Sequence, residues 1–420
     1  MAASFFTDRR KSILLIIFAG LGSLGLLGWG LYLVISSLSA GLASTSPTAV
    51  ADMSNGVLDG AGMFFCLLPL AVMIYYNVQQ LRSRKILAGK IPPIKFWQLV
   101  VIGVVWFVIL LGGSVVVAIS QFGWIPLVVV FPLGLVLPVA ALFWIAAGGL
   151  PGGSRRRLAS VFGIGLVGSP ALALVAEYLV IGLAVLVVGL FSLAHPEWLA
   201  LLKQLKSQIT NATDIQTVIP LLAPYLANPL VLVAILAFVA GIGPLIEEAM
   251  KPLAVWLVGK RLHSPAEGFA LGALCGAGFA LLEGLSAASG AAQSWGIGIG
   301  VRAFSSLMHI CASGIMGWGI ASAVLEKRYL HLAGAYLTSF LIHALWNGSV
   351  VLLVYGAAQI GILNVQPYDF ASLMIMLVGL GMLLLLLGMI LVFLPLFNRQ
   401  LRPTPPAPAT RPPEEAQTVV

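Results

Sequence analysis

Apolar residues along this chain come in long runs, broken by short polar stretches. A helix that crosses a bilayer needs about 20 apolar residues. Ten segments qualify: 13–38, 58–79, 96–119, 126–148, 160–193, 229–259, 266–290, 301–325, 332–355 and 371–396. The fifth is long and carries Gly168-Ser169-Pro170, where a tilt or break is expected. The pattern predicts an all-α, polytopic transmembrane bundle of about ten spans. The first run follows Arg9, Arg10 and Lys11 and is too long for a secretory signal core, so it reads as an uncleaved helix.

Composition agrees: 60% of the 420 residues are hydrophobic and 9% charged, against about 45–50% and 25% in soluble domains. A mean hydropathy of +1.05 says the same. Secreted disulfide-stapled proteins and DNA-binding proteins are thereby excluded, and no nucleic-acid partner is expected. Cys66, Cys275 and Cys311 lie in apolar segments without redox or zinc spacing and read as packing residues.

The net charge of +8 matters through its placement. Alternate loops hold 18 of the 22 basic residues; the other set holds only Lys203 and Lys206, and Lys251 and Arg302 fall within spans. The positive-inside rule then puts both termini in the cytoplasm. The expected organisation is a membrane region of about five helices (1–195), an external interfacial loop (196–228), a four-helix core (229–356), a last span (357–397) and a disordered Pro-rich cytoplasmic tail (398–420). Leu201, Leu202, Leu205, Ile209 and Val218 suggest an amphipathic piece in the interface. No long-period repeat is visible. Gly272, Gly276, Gly278, Gly314, Gly317 and Gly319 read as contacts that let helices approach closely.

Ionisable residues are costly in hydrocarbon, so each one there is a functional candidate. They crowd into spans six to nine. Span six carries GIGPLIEEAMKP; Glu247 and Lys251 lie about 40° apart on a helix, and Glu248 and Lys251 are three apart. One carboxylate of such a pair would be held ionised by the ammonium while the other handles protons. Pro244 and Pro252 make this helix irregular, which favours a polar cavity. Span seven carries Glu283. Span eight carries Arg302, Ser305, Ser306, His309 and Ser313, and span nine Tyr336, Ser339, His343 and Asn347, each as a one-faced stripe. The plainer reading is a set of core polar residues that register the bundle, but such contacts are usually Ser, Thr or Asn. Glu177 reads as a partner for Lys251 or Arg302, or as a water-facing group. Arg302 either snorkels or pairs with an acid. His195, His263 and His331 read as solvated or interfacial, and Glu267 as a first-turn acid favoured by the helix dipole.

The order EExxK (Glu247–Lys251), GFAxxE (Gly278–Glu283), a helix with His309, then HxxxN (His343–Asn347) resembles the PrsW family of intramembrane proteases, relatives of the CAAX prenyl protease and bacteriocin-processing group. The resemblance covers about residues 240–350. It departs at Gly284, where many relatives have Asn. It implies peptide-bond hydrolysis within the plasma membrane of a bacterium, on membrane-embedded or membrane-tethered protein substrates of the anti-sigma-factor kind.

Hydrolysis of an amide needs activated water, oxyanion support and a proton for the amine. Glu247 is the expected base; Glu248, paired with Lys251, would position Glu247 or the water. His309 and His343 would orient water or bind the oxyanion. Asn347 would fix the tautomer of His343 or donate to the oxyanion, and Glu283 would hold a histidine or act as a second acid. A zinc variant would use Glu247, His309 and His343 as ligands. HExxH spacing is absent, and the metal-free version is preferred at this point, with no cofactor required. The rivals are an ion- or proton-coupled transporter, against which no inverted repeat is visible, and a non-catalytic membrane scaffold.

Overall fold

The computed structural model describes residues 9–43, 49–83, 88–119, 123–210, 228–286, 294–362 and 370–402. Among them, ten helices are long and apolar enough to cross a membrane. In chain order the helices are α1 (Arg9–Ala43), α2 (Asp52–Leu81), α3 (Phe96–Ile119), α4 (Ile125–Ala147), α5 (Arg155–Ala194), the shorter α6 (Pro196–Thr210), α7 (Pro229–Arg261), α8 (Pro265–Ser286), α9 (Trp295–Glu326), α10 (Tyr329–Ile362) and α11 (Phe370–Leu401). A two-stranded antiparallel ribbon, β1 (Ala88–Lys90) and β2 (Pro151–Ser154), ties two loops together.

Several helices outrun their apolar runs because polar ends find partners. Trp295, six residues before the expected start of its span, is buried and donates to the Ile109 carbonyl at 3.1 Å. Asn398–Leu401, expected to begin the tail, continue α11, because the Asn398 amide donates to the carbonyls of Ala146 (2.8 Å) and Gly148 (3.1 Å) at the end of α4. α6 occupies part of the loop expected to be interfacial. Residues 211–227 with Val218, residues 287–290 and the tail beyond 402 lie outside the described residues.

Polar contacts bring the helix ends with basic loops to one end of the bundle. Arg9 at the start of α1 donates to Leu81 O at the end of α2. Arg156 at the start of α5 donates to Ser12. The neighbouring Arg157 pairs with Glu267 at the start of α8. Glu267 is therefore buried, and its other oxygen accepts from the His263 backbone N–H at 2.8 Å. It is an ion-pair anchor, where the sequence suggested only an acid favoured by the helix dipole.

The least hydropathic spans form the centre. α8 and α9 are 89% buried over their spanning windows, whereas α3 is 6% buried over its own and presents its side chains outward. Lipid is as apolar as leucine, so membrane helices associate by close backbone packing. A methyl group built on Gly272 would sit 2.2 Å from Ser313 O, on Gly276 2.4 Å from His309 O, and on Gly317 2.2 Å from Gly268 O. The glycines therefore make a seam in which no side chain fits.

Gly272→Ala should accordingly destabilise the protein by about 1–3 kcal/mol. Gly300→Ala, at a position on α9 with nothing within 4 Å of the new methyl, should leave stability unchanged or slightly raised. Thermal unfolding in detergent micelles measures both.

Candidate functional site

The site begins with an irregular helix. In α7, residues Ala237–Ile242 form a π turn, in which Gly243 N–H donates to Phe238 O. The next bond of that register would need an N–H at position 244, which is Pro244. The orphaned Val239 carbonyl is taken by Asn347 Nδ2 from α10 at 2.9 Å. A turn lower, Tyr336 Oη donates to Leu245 O at 2.8 Å. Pro252 breaks the ladder again: Val255 N–H turns to Pro252 O, and the Lys251 carbonyl accepts from Ser169 Oγ at 2.9 Å. In α5 the same logic recurs, with a π turn at Ile164–Gly168 just before Pro170, close to the expected break.

Between these two breaks, Glu247, Glu248 and Lys251 project inward. Lys251 and Glu248 are fully buried. The Lys251 ammonium lies 3.0 Å from Glu247 Oε2 and 2.6 Å from Glu248 Oε1, and sits 4.7 Å from the Phe279 ring centroid. Glu248 Oε1 also lies 2.8 Å from His343 Nδ1. Lys251 Nζ is 3.1 Å from that same nitrogen. An anionic acceptor calls for Nδ1–H on His343, which leaves the Nε2 lone pair free; Nε2 faces Glu247 Oε2 at 4.0 Å.

The second histidine is held in the same way. His309 Nε2 lies 2.9 Å from Glu283 Oε2, and Arg302 Nη1 donates to Glu283 Oε1 at 3.0 Å. Arg302 therefore pairs with an acid rather than snorkelling. His309 Nδ1 is buried without a hydrogen-bond partner. The two imidazole centroids are 5.3 Å apart. One ligand atom each from Glu247, His309 and His343 lie within 4.8 Å of one another.

A cavity of about 500 Å³ opens beside this cluster, lined by Glu247, Glu283 and Glu177 among otherwise mostly apolar side chains such as Trp29, Pro170, Phe279 and Leu282. It lies toward the end of α8 opposite Glu267, sixteen residues or about 24 Å from it. Of the two readings of Glu177, pairing with Lys251 or Arg302 is not made, since both cations are committed to other acids, and the side chain lines the cavity, as a water-facing group would.

Other polar residues serve the scaffold. Ser305 and Ser306 bond back to Arg302 O, and Ser339 crosses to Ala312 O at 2.7 Å. Asn347 has its amide on Val239 and makes no described bond to His343. His195 stacks on Phe191, and His263 is largely exposed. His331 stacks on Trp318, with Nδ1 buried. The three cysteines are buried and unpaired. Asp59 in α2 is a buried acid that span-by-span reading overlooks, since it sits at the first residue or two of an apolar run.

The side chains fit a metal ion. Two imidazoles and a carboxylate are a common catalytic zinc set. Each imidazole has one nitrogen fixed by its own carboxylate, Glu248 or Glu283, as metal-bound histidines have, and each has its other nitrogen turned to the cluster or left without a partner.

A ten-helix membrane bundle with acids and imidazoles gathered beside an open cavity has the form of an intramembrane hydrolase. The chain matches the family described as PrsW family intramembrane metalloprotease over residues 154–380, and it belongs to that family. The match starts at α5, well before the motifs that carry the resemblance. No curated protein and no solved structure matches the chain.

Removing the buried ammonium should unfasten the cluster. Lys251→Met leaves Glu247 and Glu248 adjacent without a counter-charge and should cost about 3–5 kcal/mol, read as a lowered unfolding temperature in micelles. Lys206→Met, at an exposed position, should change stability by less than about 0.5 kcal/mol.

Proposed function

We propose that this protein cuts a peptide bond of a membrane-embedded or membrane-tethered protein, and that Glu247, His309 and His343 hold the reacting water. The observation that carries this reading is the convergence of those three residues to within 4.8 Å from three separate helices. Sequence alone favours water activation by Glu247 without an ion. The pairing of each imidazole with its own carboxylate favours the zinc-holding variant, as does the description of the family.

Zinc bound by Glu247, His309 and His343 would make its water a nucleophile at neutral pH and polarise the scissile carbonyl. The rest is done by the chain. Glu248 and Glu283 fix the imidazole tautomers and ring planes. Lys251 and Arg302 supply the counter-charges for these acids. Without an ion, Glu247 is free to be the base: it takes the water's proton as the oxygen attacks the carbonyl carbon and returns it to the amine nitrogen as the C–N bond breaks; with zinc held, Glu247 would be a ligand and the ion itself would make the water nucleophilic. Asn347 and Tyr336 act at one remove, by holding α7 in the shape that aims Glu247 inward. The cavity admits the substrate segment and keeps bulk water low, which strengthens the electrostatic contacts. With the basic end in the cytoplasm, as the positive-inside rule reads it, the cavity lies in the outer half of the membrane.

Purified full-length protein should bind about one zinc per chain. His309→Ala and His343→Ala should abolish that stoichiometry, and Glu248→Gln should weaken zinc affinity about 10–100-fold, by metal analysis and competition with a chromophoric chelator. Glu247→Gln should abolish cleavage of a co-expressed membrane-tethered reporter while its level and size-exclusion profile stay normal. Absence of bound zinc, with chelator-resistant cleavage, returns the mechanism to the metal-free form. Cleavage that persists in Glu247→Gln refutes its role as base.

A further inference from the structure

We propose that Glu177 is a subsite for a lysine or arginine side chain of the substrate, on the wall of the same cavity and about one helical turn from Glu247. The inference rests on the proteolytic reading and adds a substrate preference to it.

The cavity holds three carboxylates, and two are compensated. Glu247 has Lys251 at 3.0 Å, and Glu283 has Arg302 at 3.0 Å and His309 at 2.9 Å. Glu177 forms no hydrogen bond or ion pair with a described residue. The Glu247 and Glu283 carboxylates and the Lys251 ammonium are all within electrostatic range of it, but that ammonium is already spent on Glu247 and Glu248. The rest of the lining is mostly apolar, with Leu26, Pro170 and Leu174, and its two side-chain donors, the indole of Trp29 and the hydroxyl of Ser286, make no hydrogen bond to Glu177.

The position of Glu177 relative to the reacting cluster follows from Gly243. A methyl group on Gly243 would stand 4.0 Å from Glu177 Oε1. Gly243 precedes Glu247 by four residues, just over one turn or about 6 Å along α7. An extended peptide advances about 3.3 Å per residue. A basic side chain within about three residues of the scissile bond therefore reaches Glu177 while the bond itself lies at Glu247.

The energetics make such a subsite selective. An unpaired carboxylate at membrane depth is costly. A cationic side chain entering the cavity supplies its missing partner, whereas a neutral side chain of the same length leaves it unpaired. Sites built for a polar partner discriminate strongly against analogues that lack it.

The test separates binding from cleavage. Full-length protein carrying Glu247→Gln, in nanodiscs, is titrated with fluorescent single-span Leu/Ala peptides. Each peptide carries one lysine at a successive position, and each has a norleucine twin. At one or more positions the lysine peptide should bind about tenfold tighter than its twin. Adding Glu177→Gln should erase that ratio and leave norleucine binding unchanged, which also shows that the variant is folded; Glu177→Asp should retain part of it. Equal affinity of the twins at every position overturns the subsite, as does a lysine preference that survives Glu177→Gln or a parallel loss of both affinities. A lysine preference in a protein whose Glu247 form cuts none of the peptides supports the subsite and removes only the proteolysis.

Discussion

Lys251 is the point on which the buried charges depend. Two adjacent glutamates at membrane depth repel each other and have lost their hydration. Their ion pairs with one ammonium, at 3.0 and 2.6 Å, allow both to stay on consecutive positions of one helix and so to face different partners. Glu248 turns to His343 and fixes its ring, while Glu247 turns to the cavity. The geometry requires this division. A single glutamate could not hold the imidazole and also present a carboxylate beside its other nitrogen. Arg302 repeats the arrangement for Glu283, which leaves that acid able to hold His309.

The same low dielectric shapes the backbone. Pro244 and Pro252 each leave a carbonyl without its helical donor, and in hydrocarbon such a group must be satisfied by protein. Asn347 answers the first and Ser169 accepts responsibility for the carbonyl beside the second, from α10 and α5. The helix that carries EExxK is thus bolted on both sides by residues of neighbouring helices. These bonds couple the wall of the cavity to the position of the acids, because Ser169 is the residue before Pro170, which lines it.

Much of this was legible in the sequence. Ten apolar runs mark ten helices, and the crowding of ionisable residues in spans six to nine points to Glu247, Glu283, His309 and His343. The spacing of the prolines indicated an irregular sixth span. Three-dimensional partnerships were less accessible. Nothing in the periodicity of α10 says that Asn347 bonds a carbonyl 108 residues away. Arg157 reads as a loop charge until Glu267 arrives beside it from another helix. Glu177 is a lone acid in an apolar run, and only the shape of the cavity joins it to Glu247. Local pattern reports which face of a helix is polar; it does not report which faces meet.

Which faces meet is set by the glycine seam between α8 and α9. Gly276 packs against the backbone of His309 with no room for a methyl group, so the two helices touch main chain to main chain at the level of that imidazole. Seven residues on, about two turns, Glu283 reaches His309 Nε2 at 2.9 Å. Contacts between backbones leave far less freedom than contacts between flexible side chains. The separation of the acid from the imidazole is therefore a property of helix packing. This accounts for the burial of the two spans that are poorest in large apolar residues: in a solvent of hydrocarbon, close approach by small residues, and not hydrophobicity, decides which helices stand at the centre and hold the site.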